Sequence, residues 1–313
     1  MIIMGNVAES IVNEVKKAIC GKDYIIGQTL TSILAGGHIL MEDVPGVGKT
    51  TLALAFSKTM GLDYGRVQFT PDVLPSDITG FSLYDKKTDT MKYQPGAIFH
   101  NIFLADELNR ASSRTQSALL EAMEEGRVTV DGTTYALPKP FVVIATQNPA
   151  GSSGTSLLPD SQIDRFMIRI SMGYPSVSAE KAMIESRKNG INPLDDVQTV
   201  CDINTIVRMQ NEVNNVFVHD KIINYIVVLI NKTRGHPDLE RGGSPRATLA
   251  LTSMAKAFAY LSGRNYVAPA DVQKVFLPVI AHRLILTPEA EVNGKDSIDI
   301  ANEIVKSVPL PKV

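Results

Sequence analysis

The fold of this chain is decided by one short stretch, Asp43-Val44-Pro45-Gly46-Val47-Gly48-Lys49-Thr50. An apolar run, His38 to Glu42, precedes it, and an amphipathic pattern from Thr50 to Met60 follows it. The first pattern is typical of a buried strand and the second of a helix. The sequence therefore predicts a strand, a glycine-rich turn and a helix in direct succession.

The glycine-rich turn has the composition of a phosphate-binding loop. Gly46 and Gly48 let the backbone approach phosphate oxygens without side-chain clash, so that several N–H groups can converge on them. Lys49 can bring its ammonium to the outer phosphates of a nucleotide, and the Thr50 hydroxyl can bind Mg²⁺. We therefore predict nucleotide contacts from Pro45, Gly46, Val47, Gly48, Lys49, Thr50 and Thr51.

The rest of the first half alternates apolar runs with helical patterns such as Ser113 to Glu125. The further predicted strands are Tyr64 to Phe69, Ile102 to Ala105, Phe141 to Thr146 and Phe166 to Ile170. This alternation predicts an α/β fold with a parallel sheet covered on both faces. Two stretches, 80–93 and 127–137, are predicted to be hairpin inserts, and the second turns at Asp131-Gly132.

After about Pro175 the pattern becomes helical. Shared helix faces are predicted for Ile206, Met209, Val213 and Val216, and for Ile223, Ile226, Val227 and Ile230. Ser244 and Pro245 form a favourable helix start, since serine caps free N–H groups and proline fits the first turn. Further helices are expected over 268–282 and 297–308. We predict a core of residues 1–175 and an all-helical lid domain of residues 176–313.

The composition limits the classes of function. Of 313 residues, 44% are hydrophobic and 20% are charged, which predicts a folded globular protein. The net charge of −2 argues against a general nucleic-acid coat, although a local basic loop stays open. No signal peptide or spanning run is visible, so we expect a cytoplasmic protein without membrane insertion. Cys20 and Cys201 are expected to be reduced thiols.

A second chemical element is the strand that ends in Asp106 and Glu107. The end of this strand places both carboxylates beside the phosphate loop. Asp106 is suited to hold Mg²⁺, and Glu107 is suited to orient the water that attacks the terminal phosphate. Small-molecule kinases share the phosphate loop, so these two elements alone leave a kinase open. The third chemical element is Gln147-Asn148-Pro149, at the end of the predicted strand Phe141 to Thr146. A neutral side chain there could bind the attacking water or the phosphate.

With these motifs in place, the chain resembles the MoxR family of AAA+ ATPases over essentially its whole length. The matching segments are Ile26–Gln28, Leu40–Thr50, Gln68–Asp77, Asp106–Ala111, Ala145–Pro149 and Ser244–Ala247. Asp43 stands where many relatives carry glycine. The resemblance implies a core of five parallel strands, a helical lid, and nucleotide bound between them.

The resemblance also implies roles that spacing alone does not give. Ile25, Ile26 and Gly27 would lie near the adenine, and Asn148 would be the sensor-1 residue. Arg246 would be the sensor-2 arginine of the lid. Arg165 would be the arginine finger that reaches the ATP of a neighbouring subunit. Each of these two arginines alone would more often be an ordinary surface residue.

The resemblance implies a Mg²⁺-dependent ATPase that forms a homo-hexamer and converts ATP to ADP. It suggests a chaperone-like role in remodelling or maturing a client complex, such as cofactor or metal insertion. A von Willebrand A-type protein would be the co-partner. A magnesium-chelatase-like motor and a DNA-translocating motor of the same clade stay open. Lys86, Lys87 and Lys92 favour DNA faintly, but Asp85 and Asp89 offset them, so nucleic acid is not the expected partner.

Overall fold

The computed structural model describes residues 2–44, 46–148, 158–186, 190 and 192–312. The strands of the first half are β1 (Ile39–Glu42), β2 (Tyr64–Gln68), β3 (Gly80–Asp85), β4 (Thr90–Pro95), β5 (Ile102–Asp106), β6 (Arg127–Val130), β7 (Thr133–Ala136), β8 (Val142–Gln147) and β9 (Ile168–Ile170). The helices of this half are α1 (Ile2–Ala18), α2 (Asp23–Leu34), α3 (Lys49–Met60), α4 (Pro75–Thr79), α5 (Ser113–Glu125) and α6 (Asp160–Ile163), with a 3₁₀ turn over Leu108–Arg110.

Five strands form one parallel sheet in the order β2-β5-β8-β1-β9. In β1, Ile39 and Met41 pack into one apolar cluster, while Leu40 packs into a second cluster with Phe103. Successive side chains of a strand point to opposite faces, so both faces of this sheet are covered. This confirms the predicted α/β class and explains the continuous apolar runs of the sequence.

The two hairpins lie outside the central sheet, as predicted. β3 pairs with β4, and the pairing extends to Pro95, two residues beyond the predicted end. β6 pairs with β7, and both turn residues have positive φ, 49° at Asp131 and 78° at Gly132. That geometry is the one a two-residue hairpin turn requires. The rings of Tyr93 and Tyr135 stack with centroids 3.8 Å apart, so the hairpins contact each other.

The second half is mainly helical. Its helices are α7 (Val177–Ser186), α8 (Ile203–Asn214), α9 (Asp220–Arg234), α10 (Pro245–Leu261), α11 (Pro269–Ile280), α12 (Pro288–Val292) and α13 (Ser297–Ser307), with a 3₁₀ turn over Ala281–Arg283. A short antiparallel pair, β10 (Leu239–Arg241) with β11 (Ile285–Leu286), was not predicted. Strands of two or three residues are too short to produce a recognisable sequence period.

The predicted face of α9 is wrong in part. Ile226 and Ile230 are buried, but Ile223 and Val227 are 45% and 40% exposed. The buried stripe instead includes Ile222 and Leu229. The helix start predicted at Ser244 is confirmed, because Ser244 caps α10 and accepts a hydrogen bond from the N–H of Ala247. No helix of the described residues is both long and apolar enough to cross a membrane.

Candidate functional site

The phosphate loop connects the end of β1 to the start of α3. Gly46 and Gly48 have φ of 85° and 99°, a region that side chains with a Cβ rarely adopt. Gly48 is the N-cap residue of α3, so the free N–H groups of the first helical turn open toward the loop. Thr50 and Thr51 lie in that turn, directly after Lys49. Pro45, another predicted contact, lies outside the described residues.

Lys49 is only 8% exposed, and its Nζ donates to the backbone carbonyl of Asp43 at 2.9 Å. Burial lowers the pKa of Lys49, while the negative charges of Asp43, Asp106 and Glu107 oppose that shift. The ammonium therefore lies within electrostatic range of both predicted acids. A buried ammonium beside exposed backbone N–H groups is arranged to receive an anion.

Asp106 ends β5, and its carboxylate accepts two hydrogen bonds. The Thr146 hydroxyl donates to Asp106 Oδ1 at 2.7 Å, and Arg66 donates to Oδ2 at 2.7 Å. The same Thr146 oxygen accepts from the backbone N–H of Glu107 at 2.8 Å. Thr146 therefore joins β8 to the acidic end of β5, through the carboxylate of Asp106 and the backbone of Glu107.

Glu107 has a left-handed backbone with a φ of 55°, which is uncommon for a residue with a side chain. Its carboxylate accepts from Arg110 at 2.8 Å, from Gln68 at 3.0 Å and from Asn148 at 3.2 Å. The hydrogen bond from Arg110 is the main cause that lowers the pKa of Glu107, and burial acts in the opposite direction. Glu107 is therefore held as a carboxylate next to the predicted sensor residue.

The residues at this edge fit a hydrated Mg²⁺ ion beside a phosphate group. Magnesium prefers oxygen ligands and usually binds one or two carboxylates together with substrate phosphates. Thr50 offers a hydroxyl and Asp106 a carboxylate at the phosphate loop. In this structure Asp106 pairs with Arg66. The described residues contain no cluster of three or more His, Cys, Asp or Glu side chains that could hold a metal alone.

Arg165 and Arg246 lie at the opposite edge of the sheet. Met167, two residues after Arg165, donates its N–H to the carbonyl of His38, which directly precedes β1. The phosphate loop begins after the other end of β1. Five residues of strand cover about 16 Å, so neither arginine is near Lys49 of its own chain. The structure thus brings Asp106, Glu107 and Asn148 together near Lys49, but places the two arginines elsewhere.

Both arginines bind one carboxylate, that of Glu124 at the end of α5. Arg165 Nη1 lies 3.1 Å from Glu124 Oε2, and Arg246 Nη2 donates to Glu124 Oε1. Arg165 also donates to the carbonyl of Leu120 at 2.9 Å. Arg165, Arg246 and Glu124 line a cavity of about 410 Å³ together with His38. Two guanidinium groups therefore converge on one small anionic group.

The turn that carries Arg165 is bound to the helical half of the chain. Asp164 accepts from Arg283 Nε at 2.7 Å and from the Ser244 hydroxyl at 2.8 Å. Arg283 is 7% exposed and also donates to the carbonyl of Phe166 at 2.7 Å. Because Ser244 caps α10, the start of the Arg246 helix and the Arg165 turn are held together.

The three predicted adenine contacts do not share one cavity. Ile26 is fully buried in the core. Ile25 lines a cavity of about 510 Å³ with Ser171 and Leu277, whereas Gly27 lines a cavity of about 600 Å³ between α1, α2 and the end of α10. Of these two cavities, the first borders the segment that follows β9.

Sequence reasoning missed several groups at the two edges. They are Gln68, Arg66, Arg110, Glu124, Thr146, Asp164 and Arg283. Gln68 had a weak signal, since it is a polar residue near the end of the predicted strand Tyr64 to Phe69. Glu124 had none, because it reads as an ordinary charged residue of an amphipathic helix.

The parallel sheet, the glycine loop at a helix N-terminus, and the paired acids at the end of β5 are those of a P-loop nucleotide-binding protein, and together with the helical second half they are typical of the AAA+ ATPases. Two family models agree with this class. Residues 38–168 match the ATPase family associated with various cellular activities (AAA), and residues 231–304 match an AAA lid domain.

Several known proteins are similar along most of their length. The chain is 46% identical to the Bacillus subtilis protein YeaC, with 96% of this chain and 93% of YeaC covered. It is 37% identical to Chaperone MoxR1 of Mycobacterium tuberculosis, with 97% and 82% covered. A crystal structure from Cytophaga hutchinsonii superposes with a TM-score of 0.91 at 38% identity, covering 99% and 97% of the two chains. The chain belongs to the MoxR family of AAA+ ATPases.

Proposed function

We propose that this protein is a Mg²⁺-dependent ATPase whose sites are completed between subunits of a homo-hexameric ring. The proposal rests on one observation, that the acidic centre and the arginine pair lie at opposite edges of the same sheet. Such a chain can bring the two groups together only across a head-to-tail contact with a second copy. Repeated head-to-tail contacts form a ring when the rotation between successive copies closes.

Each group at the acidic edge has a role that its surroundings support. Lys49 would bind the outer phosphates of ATP, and Thr50 and Asp106 would hold Mg²⁺. The ion would neutralise charge on the phosphate oxygens. Glu107, kept ionised by Arg110, would orient and polarise the attacking water, and Asn148 would bind that water or the phosphate.

Arg165 and Arg246 would act on the nucleotide of the neighbouring copy. The Glu124 carboxylate already holds both guanidinium groups toward one point. A terminal phosphate is a larger anion with the same kind of acceptor oxygens. The sensor-2 role of Arg246 would therefore be exerted in the next subunit, together with the finger Arg165.

Mixing two inactive variants tests the shared site. We expect Lys49→Ala and Arg165→Ala each to abolish turnover. In an equimolar mixture, half of the copies keep Lys49 and half of their neighbours keep Arg165, so about one quarter of the sites should be restored. A mixture of Lys49→Ala and Glu107→Gln is the matched control and should stay inactive, because both defects lie in the same half of the site.

An active control mixture, or an inactive test mixture of variants that co-assemble, would exclude the shared site. Sedimentation with and without nucleotide belongs to the same experiment. A chain that binds ATP and stays a monomer under every nucleotide condition would contradict the ring.

The same ATPase cycle would remodel or mature a client protein complex, for example by cofactor or metal insertion. The name of Chaperone MoxR1 supports this role, and a von Willebrand A-type protein is the co-partner we propose. Glu107→Gln should bind ATP without turnover and so retain the client, whereas Lys49→Ala should not. A client that binds both variants equally, or turnover stimulated by DNA, would contradict the chaperone role.

A further inference from the structure

Asp43, the first residue of the phosphate loop, is 5% exposed and binds the chain just after β9. Its Oδ1 accepts from the Ser171 hydroxyl at 2.7 Å and from the N–H of Gly173 at 2.9 Å. Its Oδ2 accepts from the N–H of Met172 at 2.5 Å. We call residues 171–174 the exit segment, because they leave the sheet and lead to α7.

The same residue contacts the phosphate-binding lysine through its main chain. The carbonyl of Asp43 accepts the bond from Lys49 Nζ described above. The side chain of Met172 also reaches the loop, since a Cβ built on Gly48 would lie 3.7 Å from Met172 Cε. Asp43 therefore connects Lys49, which bonds its carbonyl, to the exit segment, which bonds its carboxylate.

Lys22 holds the exit segment from its other side. Its Nζ donates to the carbonyl of Tyr174 at 2.8 Å and to that of Gly173 at 3.3 Å, and it also donates to the carbonyl of Met172. The N–H groups of the segment thus face a carboxylate and its carbonyls face an ammonium. Charge-assisted bonds of this kind are stronger than neutral ones.

A carboxylate is needed at position 43 for this arrangement. It offers acceptor sites on two oxygens, which matches three donors. Asparagine has nearly the same shape but only one acceptor oxygen, and its NH₂ group would face an N–H or a hydroxyl donor. Glycine would offer no acceptor at all beyond its carbonyl.

We propose that Asp43 is a positioning residue that couples nucleotide at Lys49 to the exit segment. When phosphate takes Lys49 from the Asp43 carbonyl, the loop shifts with its first residue, and the bonds from Asp43 to Met172 and Gly173 change. The state of the phosphate loop is thereby passed to the chain leading into the helical half. The inference rests on the proposed function only in requiring that nucleotide binds at Lys49.

Amide exchange at Met172 and Gly173 in the full chain, with and without ADP, tests this coupling. In the unmodified protein, ADP should change the exchange rates by about tenfold, the equivalent of one hydrogen bond. In Asp43→Asn the change should fall below about twofold, while the affinity for a fluorescent ADP analogue stays within about threefold. Asp271→Asn is the control, because Asp271 is 2% exposed and also accepts a backbone N–H, but its partners are Ala268 and Arg264 and not the exit segment.

The outcomes separate this inference from the proposed function. Absence of ADP binding in the unmodified protein would defeat the proposed function. ADP binding with no exchange difference there, or with a full difference retained in Asp43→Asn, would overturn the coupling alone. If Asp43→Asn does not fold, Ser171→Ala decides, since it removes one of the three donors and leaves both amide bonds. It should lower the ADP-dependent change to about threefold, and an unaltered change would overturn the coupling.

Discussion

The two edges of the central sheet hold charge in opposite ways. At the end of β5, the carboxylates of Asp106 and Glu107 are each held by their own set of donors, and Thr146 bonds the Asp106 carboxylate and the Glu107 backbone. At the start of β1, two arginines share the single carboxylate of Glu124. Under the proposed function, the first edge receives a cation and phosphate, and the second supplies positive charge.

Under the proposed function, this difference means that each chain carries two halves of a site, which are completed by neighbouring copies. Each half is rigid within itself, because the acids are bonded to neighbouring strands and the arginine turn is bonded to Arg283 and Ser244. The distance between the halves is fixed by the sheet. A substitution at one edge should therefore change turnover without moving the residues at the other edge of the same copy.

The largest effect is expected from Arg165→Ala. Turnover should fall on the order of 10³-fold, because an arginine that stabilises the transferring phosphate is lost. The affinity for ATP should change little, since the phosphate loop of the same copy is intact. Steady-state kinetics and ATP titration measure both, with Arg127→Ala as the control, an exposed arginine that pairs with Glu125. A large loss of ATP affinity would place Arg165 at its own nucleotide instead.

Acid should lower the free energy of unfolding through His38, which lines the cavity that holds Arg165 and Arg246. Burial lowers the pKa of His38 from its ordinary 6.5 to about 4, and its ring bonds Met123 and Val143. As pH falls below 6.5, the unfolded chain takes up a proton that the folded chain refuses until about pH 4. Stability is therefore full above 6.5 and is lost on acidification, by about 1–2 kcal/mol at pH 5.

Denaturant unfolding at pH 7 and pH 5 measures this loss. His38→Gln keeps a donor and an acceptor without a titrating ring, so its loss between the two pH values should be smaller by that amount. Other histidines affect both proteins equally and cancel in the comparison. Equal acid sensitivity would show that His38 does not account for the loss.

A smaller effect is expected from Glu124→Gln. The variant keeps the shape of the side chain but removes the charge that holds Arg165 and Arg246 together. Two unneutralised guanidinium groups should then separate, and turnover should fall by about tenfold, less than for loss of Arg165 itself. Glu125→Gln is the neighbouring control. A rise in turnover would mean that Glu124 restrains the arginines instead of positioning them.

The smallest effect is expected from Arg66→Ala at the acidic edge. Arg66 is a half-exposed partner of Asp106, and such pairs contribute at most about 1 kcal/mol. Its removal should free Asp106 and raise the apparent affinity for Mg²⁺ by about threefold. A Mg²⁺ titration of ATPase activity measures the shift. A lower apparent affinity for Mg²⁺ in the variant would indicate that Arg66 orients Asp106 productively.

The sequence by itself determined the features that depend on neighbours along the chain. Gly46 and Gly48, the buried β1 strand and the capped start of α10 are all local, because turn geometry, strand period and capping act within a few residues. The parallel sheet followed from the alternation of strands and helices. The face of α9 was only partly predictable, because apolar residues on both sides of its stripe leave the period ambiguous.

Only the tertiary structure decided which distant groups meet. Asp43 binds Ser171, 128 positions later, and Arg246 binds Glu124, 122 positions earlier. It also decided that the arginine pair lies a full strand length from Lys49. Such pairings depend on how the layers pack and on where the loops return to the sheet. Residue type and spacing along the chain do not determine which distant residues come into contact.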